Sequence, residues 1–114
     1  MTREFIYLPP FEKNWKALGL TDFELQDLEI QLIQNPYIGK IIEGTGGLRK
    51  MRFALPNRGK SGSTRILYVD FAYYEKIFIV NVYLRKEKNI LTDAEKAKLK
   101  QAVKALEDSL KNRS

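Results

Sequence analysis

The chain contains no cysteine and no histidine. Without cysteine there is no disulfide, no thiolate metal site and no cysteine nucleophile. Without histidine the usual general base and the commonest metal ligand are missing, and with them every Ser-His and Cys-His arrangement. Any chemistry must come from Lys, Arg, Tyr, Asp, Glu or a hydroxyl, and no metal or organic cofactor is expected. Long apolar runs are also missing. None approaches the roughly 20 residues of a membrane span, and the start "MTREFIYLPP" lacks the apolar core of a secretory signal. A cytoplasmic location with no membrane partner is expected.

What is present is ordinary in bulk and uneven in detail. Apolar residues make up 44% and charged residues 30% of 114 positions. One domain spanning residues 1–114 is expected, large enough for a core without staples. The net charge is +6 and the pI about 9.6, which favours an anionic partner such as nucleic acid or an acidic protein.

The patterning predicts an α+β fold. "REFIYL" (Arg3 to Leu8) reads as a strand closed by Pro9 and Pro10, and "FEKNWKAL" as a short helix. "LTDFELQDLEIQLIQNP" reads as a second helix, opened by a Thr21/Glu24 capping box and stopped by Asn35-Pro36. Its apolar residues Leu25, Leu28, Leu32 and Ile33 recur at helical spacing. "LRKMRFAL", "TRILYVDF" and "IFIVNVYL" read as strands of an antiparallel meander joined by the turns "PNRGKSGS" and "AYYEK". "LTDAEKAKLKQAVKALEDSLK" closes the chain as a helix with a Thr92/Glu95 capping box and a stripe of Leu99, Ala102, Val103, Leu106 and Leu110. This order predicts a small, mostly antiparallel sheet with two N-terminal helices and one C-terminal helix packed on one of its faces.

The charge is concentrated in Gly44 to Val69, which holds Arg49, Lys50, Arg52, Arg58, Lys60 and Arg65 and no Asp or Glu. Side chains alternate along a strand. Met51 and Phe53 therefore share a face with Arg49, while Lys50 and Arg52 point the other way. On the next strand Ile66 and Tyr68 share one face, Arg65 and Leu67 the other. A hairpin through residues 56–63 would bring Arg65 near Lys50 and Arg52, where like charges repel. An anion that compensates them, a phosphate backbone or a carboxylate-rich chain, gives the cluster a purpose. The structural alternative is a solvated sheet face whose lysines guard an edge against aggregation. Tyr83, Arg85 and Lys86 add an aromatic and two cations at the end of the third meander strand. Rings that stack on unpaired bases beside cations that hold phosphates suit RNA. The plain reading of Tyr83 is a half-buried sheet residue.

"RGKS" at Arg58 to Ser61 ends like a P-loop, but that motif needs a glycine where Ala54 stands, a strand before and a helix after. Strand-like sequence flanks it on both sides, so a basic hairpin loop is the better reading.

The combination of "GTGGLRKMR", "GKSGSTRILYV" and "VYLRKEKNILT", preceded by "NPYIG" at Asn35 to Gly39, resembles the RelE superfamily of bacterial toxins, in its HigB-like branch. The resemblance runs from "FEKNW" to the last helix. It implies a compact α+β domain and an endoribonuclease that cuts mRNA, usually in the ribosomal A site. It also implies a neutralising antitoxin, commonly a helix-turn-helix DNA-binding protein. By strand position, Lys50 and Arg52 take the places of the family's basic pair, Arg65 that of the arginine opening the next strand, and Tyr83 that of its tyrosine. HigB-like relatives tend to show Tyr-x-Lys-x-Glu at the third strand. Here Tyr83-Leu84-Arg85-Lys86-Glu87 leaves open which cation faces the site. Arg65, Tyr83, Arg85 and Lys50 are the catalytic candidates. Arg52, Arg49, Arg58, Lys60 and Lys86 are the RNA-binding candidates.

RNA supplies its own nucleophile, the 2′-OH. An arginine fork can hold two phosphate oxygens as charge develops, and Tyr83 or a lysine could move protons. A ParE-like toxin acting on DNA gyrase and a non-catalytic nucleic-acid-binding domain stay open as alternatives. For control, an acidic antitoxin segment is expected near Arg49, Arg58 or Lys60.

Overall fold

The computed structural model describes residues 2–54, 64–84 and 91–112. Strand β1 (Glu4–Tyr7) leads into helices α1 (Pro9–Ala17) and α2 (Asp22–Gln34). Strands β2 (Lys40–Ile41), β3 (Arg49–Phe53), β4 (Thr64–Phe71) and β5 (Lys76–Leu84) follow, then helix α3 (Asp93–Lys111). The five strands form one sheet in the order β1-β5-β4-β3-β2. β1 runs parallel to β5, and the other neighbours are antiparallel. The expected meander is β3-β4-β5, with a 3-10 turn at Ala72–Tyr74 between its last two strands. The expected turn at 56–63, with Arg58, Lys60 and the Gly-Lys-Ser tripeptide, lies outside the described residues, as do Arg85 and Lys86.

Local chemistry accounts for the helices. Pro9 and Pro10 stand in the first turn of α1, where a missing N–H costs nothing. Both expected capping boxes form. Glu24 accepts from the Thr21 N–H at 3.0 Å, and Glu95 accepts from the Thr92 N–H at 3.0 Å.

The sheet is covered on both faces, not on one as the element order suggested. On one face α1 and α2 bury Phe11, Trp15, Leu28 and Leu32 against Met51, Phe53, Ile66, Tyr68, Ile77, Ile79 and Val82. On the other, α3 packs Val103 and Leu110 against Leu67, Val69, Phe71 and Phe78. The central strands are apolar on both sides for this reason. Two stripe positions also fall elsewhere than expected: Ile33 of α2 and Ala102 of α3 are exposed. Ile33 stands one residue after buried Leu32 and Ala102 one residue before buried Val103, and a step of about 100° around the helix carries each off the core-facing side.

Two contacts tie the N-terminal strand and helix to the meander. Arg3 grips Asp70 through Nε–Oδ1 at 2.7 Å and Nη2–Oδ2 at 3.3 Å, with both side chains nearly sealed from water. The Asp70 hydrogen bond raises the Arg3 guanidinium pKa. Where β1 stops pairing, α1 runs alongside β5, and the Asn14 amide donates to Asn81 Oδ1 at 2.7 Å.

Two of the motifs behind the family resemblance, "NPYIG" and "GTGG", build the scaffold. Gly39 of "NPYIG" lies against the Tyr68 ring, where an added Cβ would meet Tyr68 Cε1 at 2.8 Å. The Tyr68 hydroxyl donates to the Pro36 carbonyl at 2.7 Å and accepts from the Gly39 N–H at 2.9 Å. In "GTGG", Thr45 is fully buried; its hydroxyl donates to the Ile42 carbonyl and accepts from the Leu48 N–H. Gly47, at φ 116°, adopts backbone that a side chain would strain.

Candidate functional site

The β3-β4-β5 register assembles the site. Arg52 pairs with Arg65, and Arg65 pairs with Tyr83. Directly paired residues project from the same face, with Cβ atoms about 4.5–5.5 Å apart, so these three side chains form one cross-strand row. The next row runs Lys50, Leu67, Asn81. Lys40 on β2 pairs with Lys50 and extends that row by another cation. Arg52 is exposed, while Lys50, Arg65 and Tyr83 are half-buried. This is the face on which α3 packs. α3 covers its Val69–Phe71 end, and the Arg52–Arg65–Tyr83 row lies at the opposite end of β4.

A β-bulge gives β5 its two uses. Leu67 pairs with Asn81 but Tyr68 pairs with Ile79, leaving Val80 as the extra residue. Unbroken alternation from Tyr83 would put Ile79 and Ile77 on the cationic face. The bulge shifts the phase, so Asn81 and Tyr83 face the site while Ile77, Ile79 and Val82 enter the core under α1 and α2.

Between this face and the first turns of α3 lies a groove of about 500 Å³. Asn14, Asn81, Tyr83 and Leu67 line one side, and Glu95, Lys98 and Leu99 the other. Its lining is mostly apolar, with polar groups from Asn14, Asn81, Glu95 and Lys98, as suits a flat ring with hydrogen-bonding edges. Asn81 Oδ1 accepts from both the Asn14 amide and the Val82 N–H, at 2.7 and 2.8 Å. That fixes the Asn81 side chain beside Tyr83. The groove's carboxylate, Glu95, accepts from Thr92 in the α3 cap.

Of the sequence candidates, Lys50, Arg52, Arg65 and Tyr83 come together on one face. Arg49 does not join them. It points to the α2 side, donates to the Gly39 carbonyl at 2.7 Å and lies 5.1 Å from the centre of the Tyr37 ring, so it holds the "NPYIG" loop. Arg58, Lys60, Arg85 and Lys86 fall outside the described residues. Sequence reasoning missed Lys40, Asn14 and Asn81. Lys40 sits in a strand too short to show a period, and the two asparagines meet only because α1 runs beside β5. Asn81 alone carried a signal, as a polar residue within "IFIVNVYL".

The sequence pattern of a family described as the RelE toxin of the RelE/RelB toxin-antitoxin system matches residues 7–113. Among solved structures, the chain is similar to a free-state double arginine-to-alanine mutant of the E. coli toxin RelE. That likeness has a TM-score of 0.55 at 16% identity, over 75% of this chain and 86% of the other. At that identity the likeness concerns the fold.

Proposed function

Because this chain belongs to the RelE toxin family, and so is the endoribonuclease toxin of a pair with a cognate antitoxin, we propose that it cuts mRNA in the ribosomal A site through the RNA's own 2′-OH. The observation that carries this reading is the Arg52–Arg65–Tyr83 row beside the groove under the first turns of α3. Two guanidiniums side by side on one face offer a phosphate several charge-assisted donors at once. The motif likeness favours the HigB-like branch, and a helix-turn-helix antitoxin fits it.

Arg65, at the centre of the row, holds the non-bridging oxygens of the scissile phosphate as negative charge builds there. Lys50, Lys40 and Arg52 hold the flanking phosphates. The 2′-oxygen attacks phosphorus and loses its proton. The P–O5′ bond breaks, leaving a 2′,3′-cyclic phosphate and a 5′-hydroxyl that takes up a proton. Tyr83 faces Arg65 and stands where it can pass one of these protons. The groove beside it accepts a base splayed from the strand, with Asn14 and Asn81 at its edge. No step calls on an imidazole or a metal. The ribosome supplies an aligned codon, and such alignment carries large effective-molarity gains.

The test is a translation reaction on a defined mRNA, read by primer extension. Discrete cuts that need ribosomes, and that end in a 2′,3′-cyclic phosphate, are expected. Cuts on naked RNA alone would overturn the ribosome dependence. Inhibited DNA supercoiling without RNA cuts would select gyrase instead.

A further inference from the structure

Helix α2 carries a second apolar side that the fold does not use. Leu28 and Leu32 face the core. On the opposite side stand Phe23 and Ile30, 85% and 48% exposed, with Ile33 three residues further on. A seven-residue spacing with an apolar residue three places beyond is the a/d pattern of a helix that packs along another helix. Carboxylates border the seam. Asp22 and Glu29 immediately precede Phe23 and Ile30, and Asp27 lies on the other flank. These are the positions whose charges select a partner helix. From Thr21 to Gly39 the chain has no Lys or Arg. Among the described residues none of these three acids is in an ion pair. A shallow depression of about 250 Å³ opens beside Phe23, bordered by Asp22 and Glu29. Burial there pushes the Glu29 carboxyl pKa up, the mark of a carboxylate partly withdrawn from water without a cation beside it.

We infer that the outer face of α2 is the docking surface for an amphipathic helix of the cognate antitoxin, one with Lys or Arg flanking its apolar stripe. Charge decides the occupant. RNA is repelled by an acid-only helix, and a second copy of this face would set carboxylate against carboxylate. The partner itself follows from family membership and does not depend on the ribosome reading. This contact is distinct from the acidic segment expected near Arg49. The face also has a consequence for control. α2 packs on the sheet face opposite Arg65, so an antitoxin seated there leaves the cationic row uncovered. It inhibits by keeping the enlarged toxin off the ribosome.

Two variants at exposed positions test this against the antitoxin encoded in the adjoining reading frame, by titration calorimetry at two salt concentrations. Phe23→Ala with Ile30→Ala should weaken binding at least 10-fold. Asp22→Lys with Asp27→Lys should weaken it and flatten its salt dependence, since complementary charge is what salt screens. Both variants should still cut mRNA like the wild type. Loss of antitoxin binding supports the docking surface even if the wild type proves unable to cut, because binding is read without RNA. Wild-type antitoxin affinity in both folded variants overturns it. So does wild-type antitoxin affinity combined with lost ribosome binding, which would assign α2 to a basic ribosomal protein. A toxin dimer that the alanine variant dissociates, with antitoxin affinity unchanged, overturns it too, in favour of a second copy of the chain.

Discussion

Arg65 stands directly opposite Tyr83 across the β4–β5 ladder, and on its other side directly opposite Arg52. A guanidinium thus has a phenol on one flank and a second guanidinium on the other, all on one face of three adjacent strands.

Arg65→Ala should cut mRNA about 100- to 1,000-fold more slowly, the usual cost of removing one donor aimed at developing charge. Arg65→Lys should recover only part of the rate, because a point charge replaces a planar fork. The check is single-turnover cleavage on programmed ribosomes beside a thermal melt. A folded Arg65→Ala protein that cuts at the wild-type rate would remove Arg65 from the chemistry.

Tyr83→Phe and Tyr83→Ala separate two roles. The phenylalanine keeps the ring, so it should bind substrate normally and slow the chemical step about 100-fold, at the low end for a lost proton-transfer group. The alanine should in addition raise KM, since a stacked base is worth roughly 1–3 kcal/mol. Equal kcat for wild type and Tyr83→Phe would leave the hydroxyl without a catalytic part.

Lys40 and Lys50 face each other across β2 and β3. Each should hold one phosphate, so Lys40→Ala and Lys50→Ala should each lower the slope of log affinity against log salt by about 0.7. Anisotropy of a labelled RNA oligonucleotide, titrated at several salt concentrations, measures this. An unchanged slope for Lys40→Ala would end the cationic row at β3.

Tyr68→Phe should destabilise the fold by about 1–3 kcal/mol, because the Pro36 carbonyl and the Gly39 N–H both lose a buried partner. The wild type should also show an alkaline limb that this variant lacks. Burial raises the Tyr68 phenol above its ordinary value of 10.0, against the lowering effects of the Gly39 hydrogen bond and the Arg49 charge. The folded chain therefore holds that proton more tightly than the unfolded chain. Its contribution is complete below about pH 10 and is lost as pH rises through the folded-state value. Denaturant titrations from neutral pH to pH 11 compare the two proteins. Parallel losses would mean that another group causes the limb.

By itself the sequence determined what depends on neighbours along the chain. Two capping boxes, a Pro pair and Asn35-Pro36 mark the helix ends through contacts a few residues long. Strict alternation in "RKMRF" and "TRILY" assigns Lys50, Arg52 and Arg65 to the face away from Met51, Phe53 and Ile66. The absence of cysteine and histidine restricts the chemistry in the same direct way. Asn14 and Lys40 carry no such local signature, and Asn81 shows only as one polar residue inside an apolar strand.

Only the tertiary structure decided how those local pieces meet. Register is a property of two strands, so the pairing of Arg65 with Tyr83 could not be read from either strand alone. The bulge at Val80 breaks the alternation that sequence reasoning relies on, and it forms because one strand must serve the site at one end and the core at the other. The β1–β5 pairing brings α1 beside β5 and so joins Asn14 to Asn81, residues 67 positions apart. For Arg49 alternation already gave the face, shared with Met51 and Phe53, and the structure added the partners. Its position in a basic run suggested RNA, but its strand face turns it toward Gly39 and Tyr37, where it supports the loop instead.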